Sequence, residues 1–459
     1  MYLLIAAVAL VQLWFSHHYF GFLTGDDVEV LAAAFRRAFG FQYWPWDVRN
    51  LFVPDLIVAP VLRLANVIGV VSPARLLELA ALPFIVLNAL TIWLVYRLAN
   101  RWADPIAAGV ASLLFALHWL PLMFGSTVYP RTIAAACVVG AALLLSTRDT
   151  FWAALLAGAL AGLAFTDRFS EIVFLLPLVI LSRGDGEGSP AKVGGDPSAS
   201  ARLRMTLVLL GATVTILLTV GGYDWLTWGT PFSSVRNFAH LTLLEPDFAS
   251  RIKYQSPWWY LETLPRWCAL TLLPLLYIGR KRAHSWRWFV LVPLVALSLI
   301  RHKEMRYLQG IVPFLAIGAG IGFSMLWRER RKLAVALLVI SIGWNLYGLK
   351  YLGRKSMPAV MAARLLGDDP RIRTIALSQL WAYGDRLYFG DRRQVRDILT
   401  PPRDLAAALP GSDAVSLYES DLTPAIEAQL SANGFVREAR FDTGAARAVV
   451  VYTANHGQR

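Results

Sequence analysis

Three groups of ionisable side chains interrupt an otherwise apolar sequence. The first is Asp26, Asp27 and Glu29, placed just after the apolar stretch 1–22. Carboxylates at the point where a span leaves a bilayer lie at head-group depth. An ionised acid there can take a proton from a hydroxyl, and a positioned carboxylate base contributes roughly 10²–10⁴-fold to such a step. The second group follows Arg36 and Arg37 and comprises Tyr43, Trp44, Trp46, Asp47 and Arg49. An interfacial aromatic belt explains its indoles but gives no reason for the acids before them. The third is Arg301-His302-Lys303-Glu304-Met305-Arg306-Tyr307, lodged between two apolar runs. So many charges beside hydrocarbon are costly. As a plain loop with snorkelling side chains the heptapeptide is ordinary; as the ligand of a lipid phosphate it has a function.

The elements that must carry these groups are membrane spans. Of 459 residues, 56% are hydrophobic and only 16% charged, and the mean hydropathy is +0.50, outside the range of soluble globular chains. The formal net charge of +13 is spread between apolar runs, which argues for topology and anionic lipid over a nucleic-acid surface. Cys137 and Cys268 lie in apolar surroundings, so neither a disulfide framework nor a zinc site is indicated. With no basic n-region ahead of it, the stretch 2–23 reads as a retained first span.

Further spans are expected near 76–98, 106–124, 133–145, 151–165, 172–181, 205–221, 268–278, 288–300, 308–327 and 333–347, roughly eleven in all. Ser72-Pro73 is a helix start. The Gly, Ser, Pro and Asp-rich stretch 182–204 reads as a linker. Basic residues at Arg97, Arg101, Arg148, 183–204, 280–282 and 328–332 share one side if spans alternate, and the positive-inside rule makes that side cytoplasmic. The loops at about 23–54, 222–266 and 301–307, with Tyr129-Pro130-Arg131 and Asp167-Arg168, then fall on the outer face. Beyond Lys350, β-like runs at 374–377, 414–418, 435–441 and 448–452 alternate with helical patterns, one starting at Thr423-Pro424 and ending at Gly434. The expected division is a transmembrane catalytic domain over 1–349 and an extracytoplasmic α/β domain over 350–459.

These landmarks resemble glycosyltransferase family 22, the polyprenyl-phosphate-mannose-dependent mannosyltransferases of the GT-C fold. That family carries His-Pro-Asp-Glu in its first external loop, then Trp-Glu-Trp and Arg-Ser, and later His-Lys-Glu-x-Arg-Phe. Here Thr24-Gly25-Asp26-Asp27, Trp44-Pro45-Trp46, Arg49-Asn50 and His302-Lys303-Glu304-Met305-Arg306-Tyr307 stand at those places. Thr24-Gly25 replaces His-Pro and Asp27 replaces Glu. The stretch from Asp224 to Asn237 resembles the family's middle external loop. The likeness covers the membrane part and leaves out about the last hundred residues.

The resemblance implies a polytopic, GT-C-like α-helical membrane protein of the inner membrane, moving a sugar, mannose in this family, from a polyprenyl-phosphate donor to a lipid or glycan acceptor on the outer face. Asp26 and Asp27 would be catalytic, with Asp26 the base. His302, Lys303, Arg306 and Arg49 would bind the donor phosphate, and Glu304, Trp44, Trp46, Asp224 and Asn237 the substrate. No cofactor is expected; a divalent ion at the two acids has too few ligands to be argued. Phosphate leaves without a strong acid, unlike the alkoxide of glycoside hydrolysis, but it calls for positive charge. A flippase for lipid-linked sugars, or a GT-C transferase using a different polyprenyl-phosphate sugar, is the alternative. Flippases carry midplane charges on repeated broken helices, and no internal repeat is visible in this sequence.

Overall fold

The computed structural model describes residues 1–19, 21–41, 43, 45–70, 72–183, 197–244, 255–354, 357–384, 387–389, 393–398, 403–444 and 447–454. Trp44 lies outside them. The chain forms two compact units: Met1–Gln12, Trp46–Val53 and Pro83–Leu349 make one, and Leu13–Pro45, Pro54–Leu82 and Lys350–Arg459 the other. The C-terminal domain, expected as a separate body from 350, is thus grouped with two early segments.

Three helices among the described residues are long and apolar enough to cross a membrane, Pro73–Trp102, Ser200–Trp228 and Arg331–Lys350. The first begins at the Pro73 that the sequence marks. Shorter apolar helices fill most of the other expected spans. The run 106–124 is not one span. It breaks after Pro105–Ala116 because His118 adopts an extended backbone and caps a second piece, Trp119–Phe124, accepting the Leu120 N–H on Nδ1 at 3.2 Å. The linker expected over 182–204 gives way to helix at Pro197, and 184–196 lie outside the described residues.

The first unit has two chemically distinct ends. At one, Asp104 caps the Pro105–Ala116 helix and gathers Arg282 at 2.8 Å, Arg328 at 3.1 Å and Ser324 at 2.6 Å. Nearby in the chain, Arg101 Nε donates to the Ser146 carbonyl at 2.8 Å. The Val312–Glu329 helix finishes at this end and Arg131–Thr147 finishes beside Arg101. Arg131 and the 301–308 segment therefore belong to the opposite end.

The stretch 23–54, read as a loop, contains a helix of the second unit, Gly25–Phe39. Its signals are local: Thr24 is extended before it, Asp26 and Asp27 sit in the first turn, Arg36 and Arg37 in the last, and Gly40 closes it in the left-handed region, the arrangement that suits the helix dipole and its free carbonyls. Val28, Val30, Leu31, Ala32, Ala33, Ala34 and Phe35 are all buried. The helix packs on Pro54–Val58 and Ala59–Val67.

The C-terminal domain is a five-stranded sheet ordered β2-β1-β3-β5-β4. β1 (Thr374–Ser378) runs parallel to β2 (Gln394–Ile398) and β3 (Ala414–Tyr418), and β5 (Val449–Ala454) runs antiparallel to β3 and β4 (Phe435–Phe441). Alternation sends Ile375 and Leu377 toward the Met357–Asp368 helix and Ala376 toward the opposite core, with Leu405 and Ile426. Four of these strands are legible in the sequence. β2, an edge strand reading QVRDI, is too polar to be seen. Thr423 caps the Pro424–Ala432 helix by accepting from Ile426 N–H at 3.3 Å, as its sequence implies.

Candidate active site

Both acids of the Gly25–Phe39 helix are buried, Asp26 at 8% and Asp27 at 2% exposure. Asp27 Oδ2 accepts the Leu23 N–H at 2.9 Å, and Oδ1 accepts the Thr24 hydroxyl at 3.0 Å. Asp27 thus ties the turn that enters the helix, and Asp26 stands next to it on that fixed turn. Glu29 accepts from the Tyr43 hydroxyl.

In the first unit, Trp46–Val53 is pinned to the segment 219–237. Asn50 Nδ2 donates to the Thr219 carbonyl at 3.1 Å and to Asp224 Oδ1 at 3.0 Å; Asp224 Oδ2 accepts from Ser234 N–H at 2.8 Å and its hydroxyl at 2.6 Å. Asp224 is fully buried and its carboxylate is occupied from both sides, which gives it a structural task. Asn237 donates to Asp47 Oδ2 at 3.1 Å, and Trp228 Nε1 to the Arg49 carbonyl at 3.1 Å. The Arg49 guanidinium lies 5.4 Å from the centre of the exposed Trp46 ring.

Sequence makes Ser233–Ala239 fold back onto Asp224 through two residues. A π-helical segment, Leu217–Gly222, interrupts the long helix, a feature common near functional sites. Gly221 has no Cβ, which would stand 2.7 Å from Phe232 Cζ. The Phe232 ring uses that space while its backbone takes φ 57, a left-handed conformation that strains a non-glycine residue by about 1–3 kcal/mol.

The 301–308 segment separates cations that the sequence treats alike. Lys303 is 4% exposed, and its ammonium donates to the carbonyls of Ile300 and of Gln255, the latter at 3.2 Å. Burial lowers its pKa. Lys303 therefore closes the loop. Arg306 instead pairs with Glu304, whose other oxygen meets His302 Nε2 at 3.1 Å. The Arg306 guanidinium lies 5.8 Å from the Tyr307 ring centre and 6.0 Å from that of Tyr129. Tyr260 donates to the Glu304 carbonyl at 3.2 Å.

Behind this segment lies a cation that sequence reasoning did not count among the expected ligands. Arg131 is buried, ion-paired with Glu171, bonded through Nη2 to Ser170 Oγ at 2.9 Å and set 4.5 Å from the Tyr307 ring centre. Asp167, its carboxylate oxygens buried, faces the charges of Arg168, Glu171 and Arg131. The signal was present as Tyr129-Pro130-Arg131 and Asp167-Arg168, two charged breaks between spans; the meeting of Arg131 with Asp167, Glu171 and Tyr307 is a tertiary property. Among the described residues no three His, Cys, Asp or Glu side chains gather as a metal site.

The whole chain has relatives. It is 26% identical over 331 residues to GPI mannosyltransferase 3 of Yarrowia lipolytica (strain CLIB 122 / E 150), covering 68% of this chain and 60% of that protein. The chain thus spans less than two thirds of that relative's length. Among solved structures it resembles ArnT from Cupriavidus metallidurans bound to undecaprenyl phosphate, with a TM-score of 0.63, 15% identity and coverage of 98% and 97% of the two chains. It also resembles the archaeal oligosaccharyltransferase AglB from Archaeoglobus fulgidus in complex with an inhibitory peptide and a dolichol-phosphate, with a TM-score of 0.55, 11% identity and coverage of 99% and 74%. At these identities the likeness is one of fold, and the fold is GT-C. The profile of the Alg9-like mannosyltransferases matches residues 26–362, starting at Asp26 itself and ending past the 301–308 segment. This chain belongs to the Alg9-like mannosyltransferase family.

Proposed function

We propose that this protein is an inverting glycosyltransferase that moves mannose from a polyprenyl-phosphate carrier to a hydroxyl of a lipid or glycan acceptor at the outer face of the membrane. The observation that carries the reading is the Arg306–Glu304–His302 group, a guanidinium and an imidazole held on either side of one half-buried carboxylate at the end of its unit opposite Asp104. In the reaction the acceptor oxygen bonds to C1 of the sugar as the C1–O bond to phosphate breaks, and the acceptor proton goes to a carboxylate. Asp26 takes that proton, standing where the family's first motif has its aspartate, and Asp27 ties the turn beside it to Leu23 N–H and Thr24. The phosphate gains a full negative charge as it leaves. Arg306 and His302 meet that charge, aided by Arg49, and preorganised cations act strongly in a site sheltered from water.

Glu304 in this scheme holds Arg306 and His302 side by side, and Lys303 and Arg131 brace the segment from within. Trp46 offers an aromatic face to the sugar or the polyprenyl chain, and Asn237 holds Asp47 in the same segment. The carrier is supported by the solved relatives, one bound to undecaprenyl phosphate and one to a dolichol-phosphate. Mannose is supported by the family and by the yeast relative. Purified protein incubated with a panel of radiolabelled polyprenyl-phosphate sugars and a membrane lipid extract tests both. Label should pass to the extract from the mannose donor and not from the others. Transfer from a different sugar alone would overturn the donor, and no transfer from any would overturn the activity.

A further inference from the structure

The segment that carries Asp26 is held by the C-terminal domain. Within the unit that contains both, the Gly25–Phe39 helix packs against the 3-10 turn Leu380–Tyr383. Gly384, which closes that turn, has φ +83, and a Cβ there would stand 2.7 Å from Phe22 Cε2 and 2.9 Å from Cζ. The buried Phe22 ring therefore rests on bare backbone. The peptide that follows Phe22 supplies the Leu23 N–H to Asp27 Oδ2. A continuous path of contacts runs from Gly384 through Phe22 and Leu23 to Asp27, the neighbour of Asp26.

The seat is built independently of what it holds. Gln379 adopts φ 57 and ψ 70, left-handed for a residue with a side chain and costly by about 1–3 kcal/mol. Leu380 N–H donates to Asp397 Oδ1 at 3.0 Å, and the fully buried Tyr383 hydroxyl pairs with Ser416 Oγ at 2.9 Å, fastening the turn to β2 and β3. Its position in the sheet is also telling. Open α/β sheets receive ligands beyond the carboxyl ends of the strands where strand order reverses. β1, with β2 on one side and β3 on the other, is that point here, and the loop leaving its carboxyl end receives Phe22.

We propose that the C-terminal domain is a positioning domain: its Gln379–Gly384 turn seats Phe22 and so sets the turn that presents Asp26. Phe22 and Gly384 are positioning residues and touch no substrate. The proposal rests on Asp26 being the base, but the seating can be measured without turnover. Full-length wild type, Gly384→Ala, Phe22→Leu, Phe22→Ala and the Phe22→Leu/Gly384→Ala double variant are compared by hydrogen exchange and by transfer from polyprenyl-phosphate mannose with a tritiated sugar.

The added methyl in Gly384→Ala should speed exchange of the amides of residues 23–35 and lower kcat about tenfold or more, since misplacing a reacting group by an ångström costs up to about 10²-fold. Donor KM should stay within about twofold, the mark of a lost transition-state alignment. In the double variant the smaller leucine in place of Phe22 makes room for the methyl while the strain of alanine at φ +83 stays, so both readouts should move back toward those of Phe22→Leu, the non-additivity expected of touching residues. If Gly384→Ala unfolds the domain, seen as lost protection in β1, β3 and β5, Phe22→Ala decides: it leaves the domain whole and should speed exchange over 23–35 and lower kcat. Unchanged exchange and kcat in Phe22→Ala, or no recovery in the double variant of a folded Gly384→Ala, overturns the proposal. A wild type that transfers no mannose would sink the activity, while the exchange data would still decide the seating.

Discussion

Lys303 and Arg306 carry the same charge three positions apart, and their surroundings assign them opposite tasks. Lys303→Met keeps the apolar stem but strips the Ile300 and Gln255 carbonyls of a donor, each such loss costing about 1–3 kcal/mol. Thermal unfolding in detergent should show a clear drop for this variant. Arg306→Ala should reverse the weighting, with transfer lowered about 10²-fold and a smaller change in midpoint. Equal effects on both readouts in both variants would erase the distinction. The acids divide likewise. Asp26→Asn should lower transfer by about 10²–10⁴-fold while donor still binds. Asp27→Asn forfeits one of the two hydrogen bonds to Leu23 and Thr24, about 1 kcal/mol, and should reduce activity less while lowering the midpoint. If Asp27→Asn is inactive and Asp26→Asn is not, the roles exchange. The pair itself is legible in the sequence from its place after the first apolar run. That Asp27 ties the turn depends on the Thr24 rotamer and the path of the chain at Leu23, which residue types do not encode.

At the scale of elements, close approach decides where the Asp224 clamp sits. Gly221 and Gly222 are adjacent in the π-helical segment, yet a Cβ at Gly221 meets the Phe232 ring at 2.7 Å whereas one at Gly222 meets only the Leu217 carbonyl at 3.6 Å. Gly221→Ala should destabilise by about 1–3 kcal/mol through overpacking and pull Ser234 from Asp224; Gly222→Ala should lie near wild type. Thermal unfolding of the two variants side by side measures this, and equal stability would mean that Phe232 does not need the space. The helix over Gly25–Phe39 was legible in its cap and charge signals, but a short segment dense in acids and followed by tryptophans reads first as a loop. β2 escaped notice because an edge strand that alternates charge carries no apolar signature. The break at Leu117 was hidden by a run that is apolar throughout.

For the whole molecule, the shared end formed by Asp104, Arg282 and Arg328 argues that the basic loops lie on one side and the 301–308 segment on the other. Reporter fusions after Lys281 and after Lys350 should therefore give opposite readings, the first cytoplasmic; matching readings would defeat the alternation of spans. Helix-rich membrane architecture, basic loops and most strands of the C-terminal domain could be read in the sequence because hydropathy and charge are local. The grouping of Leu13–Pro45 and Pro54–Leu82 with Lys350–Arg459 could not, since it joins the two extremes of the chain. That grouping bears on biogenesis. A ribosome delivers Phe22 and Asp26 long before Gly384, so the early segment must wait at the membrane, its buried face unmatched, until the Leu380–Tyr383 turn and its sheet have emerged. Long-range closure of this kind is slow and leaves apolar surface open to misassembly. If Gly384 seats Phe22 as proposed, a chain released after the Arg331–Lys350 helix would insert without the seat for its Asp26 turn.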